Sequence, residues 1–101
     1  MKMAALIVRH KVRDYDAWLP IFLEHGEVRR RYGGTGHQIF RLGEDPNDLT
    51  IVNLFETLDG ARRFAQDPSL AQVMGRAGVI SEPQESFCEE ADAATYSVAV
   101  G

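Results

Sequence analysis

One cysteine, Cys88, is present in the whole chain. That excludes an internal disulfide and any metal site built from several thiolates. Long apolar runs are missing as well. Met3 to Val8 gives six apolar residues before Arg9, His10 and Lys11 interrupt them. That is too few for the core of a signal peptide or for a membrane span, so a cytoplasmic protein is expected. Nor is there an excess of positive charge. Fifteen acidic against eleven basic residues leave a net charge of -4, which argues against nucleic acid as a partner. No glycine-rich phosphate loop exists, because Gly33, Gly34 and Gly36 follow a helical stretch instead of opening one. The histidines His10, His25 and His37 lack the short spacing of metal ligands. Neither a metal nor another cofactor is expected.

What is there fits one domain spanning residues 1–101, 45% hydrophobic and 26% charged. The segment Asp14 to Tyr32 dominates it. Tyr15, Trp18, Leu19 and Phe22 recur at helical spacing and define a stripe that faces a core. His25 and Arg29 lie on or near that stripe, polar where leucine would serve. Asp14 or Asp16 caps the helix, and Pro20 favours the later start, since proline deep in a helix costs ~3 kcal/mol. Arg29 to Arg31 suit the helix end, and Gly33-Gly34 stops it.

Before this helix, Met3 to Val12 alternates as a strand. Leu6, Val8, His10 and Val12 point towards the helices, and Ile7, Arg9, Lys11 and Arg13 point away. Strands are expected at Gly36 to Leu42 and Leu49 to Phe55, around the loop sequence GEDPND. Their alternation assigns His37, Ile39, Arg41 and Asn53, together with Arg9, to the face away from the helices. Thr57 or Asp59 begins a second helix that buries Leu58, Ala61, Phe64 and Ala65. Asp67-Pro68 breaks and restarts it, aspartate as cap and proline at the first helical position, for a piece from Ser69 to about Ala77. A strand near Glu85 to Cys88 follows, then a charged link and a last strand, Thr95 to Val100. The order β-α-β-β-α(α)-β belongs to the α+β class. It predicts a four-stranded antiparallel sheet with helices on one side, the ferredoxin-like βαββαβ arrangement with an extra C-terminal strand.

The pattern HKVRDYDAW, then GG-G, EDPND and TLDGARRFAQDPSLAQVM, resembles the small proteins of the dimeric α/β-barrel superfamily. The antibiotic-biosynthesis-monooxygenase-like branch is the nearest in look, over roughly Leu6 to Pro83. The resemblance implies a homodimer whose two sheets pack into a barrel; the position of residues 93–101 after the charged link makes them an expected dimer-stabilising strand. It also implies a cleft between sheet and helices in each subunit. The superfamily includes cofactor-free monooxygenases acting on polyketide quinones, haem-degrading monooxygenases, polyketide cyclases and muconolactone isomerases. Two of these depart from the present residues. Haem-degrading members use a histidine on the later helix, and Ser69 to Ala77 has none. The plant cyclase uses a histidine where this chain reads DPSL.

Among individual residues, His10 is the candidate catalytic group, a general base that breaks an otherwise aliphatic strand face. The alternative is a structural histidine bonded to backbone or to Asp14. Tyr15, Trp18, Phe22 and His25 are candidate ligand-binding residues, the aromatics stacking on a planar ring. The alternative is that the aromatics are plain core, the more common role of such a stripe, with His25 a partly exposed helix residue. Two functions stay open on the sequence. One is a cofactor-free monooxygenase, cyclase or isomerase for an aromatic or polyketide-like ligand. The other is a dimer that binds a ligand without catalysis or is purely structural.

Overall fold

Ala4, Leu6 and His10 are buried while Arg9 and Lys11 are exposed, so the first strand forms with one face inward. In the computed structural model, which describes residues 2–98, this strand is β1 (Ala4–Lys11). It is followed by α1 (Tyr15–Glu24), α2 (Gly26–Arg31), β2 (Gly34–Leu42) and β3 (Asp45–Phe55), then α3 (Leu58–Ala65), α4 (Leu70–Ala77) and β4 (Gln84–Glu89). The strands make one antiparallel sheet in the order β2-β3-β1-β4. That order and the one-sided helices are the ferredoxin-like arrangement. Two clusters pack beneath the helices. Val12, Trp18, Leu49, Ile51 and Ala77 form one, and Leu6, Phe55, Ala61 and Phe64 the other. No helix among the described residues is long and apolar enough to cross a membrane.

The long helix of the sequence pattern is two helices. Asp14 is the cap, its carboxylate accepting the Asp16 amide, and Asn47 Oδ1 accepts the Tyr15 amide at 2.9 Å. These acceptors fix the start earlier than Pro20 suggested, and Pro20 lies inside α1. The break falls at His25, whose carbonyl accepts the amides of Val28 and Arg29. Gly26 follows, and glycine is a poor helix former. The end of α2 then lies against β2 at Gly34. A Cβ at that position would sit 2.7 Å from the Arg29 carbonyl oxygen, so glycine permits the approach that carries Arg29 inward.

The face assignment of β2 and β3 is corrected. His37 pairs with Asn53, Ile39 with Ile51 and Arg41 with Leu49, and Asn53 in turn pairs with Leu6. His37, Ile39, Arg41 and Asn53 therefore share the helix face with Leu6 and His10. The alternation in β2 is ambiguous because Ile39 on one side competes with Phe40 and Leu42 on the other. Only the register decides it. The turn also tightens to Gly43-Glu44, since Leu42 pairs with Asp45. The opposite face carries Ile7, Val52, Leu54, Phe40 and Leu42. Arg9 remains there, donating to both oxygens of Asp48 at 3.2 and 3.1 Å.

Pro68 lies in a turn ahead of α4 rather than at its first helical position, because the Asp67 carbonyl accepts the Leu70 amide there. The last strand is not formed by this chain alone. Thr95 to Val98 have no regular structure, and Tyr96 and Val98 are 90% and 87% exposed. A strand needs a neighbouring edge to receive its amides, and these residues touch none. Ala99 and Val100 lie outside the described residues.

Candidate ligand cleft

Between the sheet and the helices lies a cleft of about 330 Å³. That is at the small end of organic-ligand sites, with room for a flat molecule of two or three rings. Its floor is Leu6, Val8, His10, Ile51 and Asn53, and Trp18 and Phe22 form one wall. Phe64, Leu70 and Met74 form the other. Helical spacing brings Trp18 and Phe22 together, stacked at 4.8 Å with their planes 23° apart. His10 meets the edge of Trp18 at 6.1 Å.

His10 is 7% exposed, and neither ring nitrogen has a hydrogen-bond partner. Neither structural partner foreseen for it, backbone or Asp14, is engaged. Burial lowers its pKa below the ordinary 6.5, against a weaker opposing pull from Asp48. At neutral pH the ring is therefore uncharged, with one N–H to donate and one lone pair to accept. Asn53 is the second such group. Its Nδ2 donates to the Leu6 carbonyl at 3.1 Å, and its buried Oδ1 has no partner. His10 lies opposite Leu49, and Asn53 is four residues further along β3, ~13 Å at strand spacing. Buried polar atoms without partners are uncommon in folded proteins. Here they stand at two places along one apolar slot.

His25 is at the cleft but is already engaged. Its Nε2 lies 2.9 Å from Ser69 Oγ. The Ser69 hydroxyl donates to Asp67 Oδ1, and the Tyr32 hydroxyl donates to Asp67 Oδ2 at 2.6 Å. With the serine proton directed at the carboxylate, the serine oxygen accepts from His25 Nε2–H. A hydrolytic relay runs in the opposite sense, with histidine taking the serine proton. This group is a clasp that ties the α1–α2 junction to the turn before α4.

The clasp has a measurable acid signature. Hydrogen bonds from Ser69 and Tyr32 hold Asp67 down to about 2, against an ordinary 3.8. A carboxylate whose pKa is depressed by folding adds stability above its unfolded value. That stability is lost as pH falls through the folded value. Asp67→Asn should therefore remove part of the loss between pH 3.8 and about 2. Urea midpoints measured across that range check it.

Tyr15 does not line the cleft, although the helical stripe placed it with Trp18. Its ring packs on Trp18 at 5.8 Å and is covered from the β2 side by the Arg41 guanidinium at 4.2 Å. Arg29 and Asn53 do line it and were not among the candidates. Both left a signal in the sequence. Arg29 is seven residues after Phe22, two helical turns along the same face. Asn53 shares the parity of Leu49, Ile51 and Phe55, the buried set of its strand. Among the described residues no three His, Cys, Asp or Glu side chains come together as metal ligands would.

No protein-family model and no curated protein matches this sequence. Solved structures do. A variant of SnoaB, a cofactor-independent oxygenase from Streptomyces nogalater, is 15% identical over 92% of this chain and 97% of its own, with a TM-score of 0.70. A Bordetella bronchiseptica protein named after the antibiotic biosynthesis monooxygenases is 19% identical over 93% of this chain and 100% of its own, at 0.72. A protein of unknown function from Nitrosomonas europaea is 18% identical over 97% and 98%, at 0.69. At these identities the likeness is one of fold, and the fold is that of the antibiotic-biosynthesis-monooxygenase-like proteins.

Proposed function

We propose that this chain is a cytoplasmic, homodimeric, cofactor-independent oxygenase for a flat, hydroxylated polycyclic ketone. The observation that carries the proposal is the neutral, buried, unpartnered imidazole of His10 at the floor of an aromatic-walled slot. A ring CH₂ conjugated to a ketone through the fused aryl rings, as in an anthrone, is acidified because its carbanion is an aromatised enolate. The His10 lone pair takes one proton from that carbon. The enolate carbon then bonds to O₂, and the resulting peroxide anion takes the proton back from the imidazolium. Loss of water leaves a second ketone. The carbon gives up four electrons, one oxygen atom enters the product and the other leaves as water. Trp18 and Phe22 hold the ring plane, and Asn53 Oδ1 accepts from a ring hydroxyl. Cyclisation and isomerisation would begin with the same proton abstraction, so His10 serves those readings too.

The test is oxygen uptake with 1,8-dihydroxyanthrone. The expected result is saturable uptake of one O₂ per ketone formed, well above autoxidation in buffer. Tight binding without faster uptake would replace the oxygenase by a non-catalytic binding protein. No binding of this or related flat phenols would leave a structural dimer.

Dimerisation rests on the open sheet face. Phe40 and Leu42 are 55% and 42% exposed there, on the face that also carries Ile7, Val52 and Leu54. A stable dimer usually buries ~800 Å² per subunit, and this face offers the apolar centre of such a patch. Residues 93–101 would add a strand across it. Light scattering should give the dimer mass, and truncation after Asp92 should weaken association. A monomer mass at micromolar concentration would contradict the barrel.

A further inference from the structure

We infer that the molecule bound in the cleft carries a carboxylate and that Arg29 receives it. The inference rests on reading the cleft as a site for a flat organic ligand. It is carried by a buried cation without a counter-charge. Arg29 is 7% exposed, and among the described residues no carboxylate lies within ion-pair distance of it. Its guanidinium stacks 3.8 Å over Phe22, and Nη2 donates to the Phe22 carbonyl at 2.8 Å. Of five N–H donors, that bond uses one.

A charge taken out of water is costly unless it is paired. Burial, with Arg30 adding a weaker repulsion, pulls the pKa of Arg29 down to about 10, so the group is still a cation at neutral pH. The polar groups around it leave that charge in place. His25 and His37 are held below 6.5, first by burial and then by Arg29, so both are neutral. Asp67 is committed to Ser69 and Tyr32. The guanidinium borders the cleft on one side and a second depression, lined by Gly26, Gly34 and His37, on the other. An anion entering the cleft would find a planar fork of donors already fixed against Phe22.

The position of Arg29 also orients the ligand. Phe22 connects it to His37, whose ring lies 5.0 Å from Phe22, and His37 is the cross-strand partner of Asn53. Arg29 and Asn53 thus belong to one end of the slot and His10 to the other. A carboxylate at Arg29 with a neighbouring hydroxyl at Asn53 Oδ1 would send the far ring of a two- or three-ring acid towards His10. The substrate class is then a hydroxylated polycyclic aromatic acid.

The test compares 9,10-anthraquinone-2-carboxylate with its primary amide by calorimetry. The amide has the same shape without the charge. The wild-type chain should bind the carboxylate about 10- to 100-fold more tightly, the range of a charge-assisted hydrogen bond. In Arg29→Met that ratio should fall to near unity. In Arg29→Lys part of it should return. The wild-type ratio is decisive even if Arg29→Met fails to fold. A ratio near unity with both compounds bound would overturn the carboxylate and leave the cleft reading standing. Binding of neither compound would overturn both.

Discussion

His10→Ala is expected to lower turnover of 1,8-dihydroxyanthrone by about 10²- to 10⁴-fold, the usual contribution of a positioned general base. The melting temperature should hardly move. Neither nitrogen of His10 has a partner, so alanine strands no donor or acceptor. What is lost is an edge contact with Trp18 beside space that is already open. The pH profile gives a second check. The neutral ring is the active base, so kcat/KM should be flat at neutral pH and fall on the acid side. The midpoint should lie below 6.5, because burial lowers the pKa. Unchanged turnover would remove His10 from the chemistry. A strongly destabilised variant would show that the ring is packing.

Phe55→Ala is expected to cost ~3–5 kcal/mol, the largest stability effect foreseen for a single side chain. Phe55 is 0% exposed at the end of β3, and its ring lies 5.6 Å from that of Phe64. It also pairs with Ala4 across to β1, so the void would open between the sheet and α3. For a domain of this size the melting temperature should fall by roughly 12 °C or more. A loss below about 1 kcal/mol would mean that the cluster of Leu6, Ala61 and Phe64 can collapse onto the gap.

The element order was legible because each element carries a local signal. The alternation of Leu6, Val8 and His10, the Thr57 cap and Gly78 are set by neighbours within a few residues. Gly78 has a φ of +81°, which glycine adopts without strain. Sheet faces were legible where apolar residues fell on one parity, as in β1. They were misread in β2, where Ile39 opposes Phe40 and Leu42 and the pairing with β3 decides, and at Asn53 in β3, a polar residue on the buried parity of its strand. The aromatic wall of the cleft was visible as a helical stripe. Tyr15 belonged to that stripe by spacing, yet Arg41, distant in sequence, holds its ring elsewhere. The clasp among His25, Ser69, Asp67 and Tyr32 joins residues up to 44 positions apart, and no local pattern announces it. The uncompensated charge of Arg29 is a statement about what surrounds it, and only the folded chain states that.

The slot beneath α1 is expected to take a flat ligand against His10. Nitrogen NMR of the imidazoles, recorded with and without anthraquinone-2-carboxylate, tests it most directly. Large changes are expected at the His10 nitrogens and at the Trp18 indole, with the His25 signals little altered because Ser69 already holds that ring. Changes confined to residues of the open sheet face, or none at His10 while the ligand binds, would contradict it.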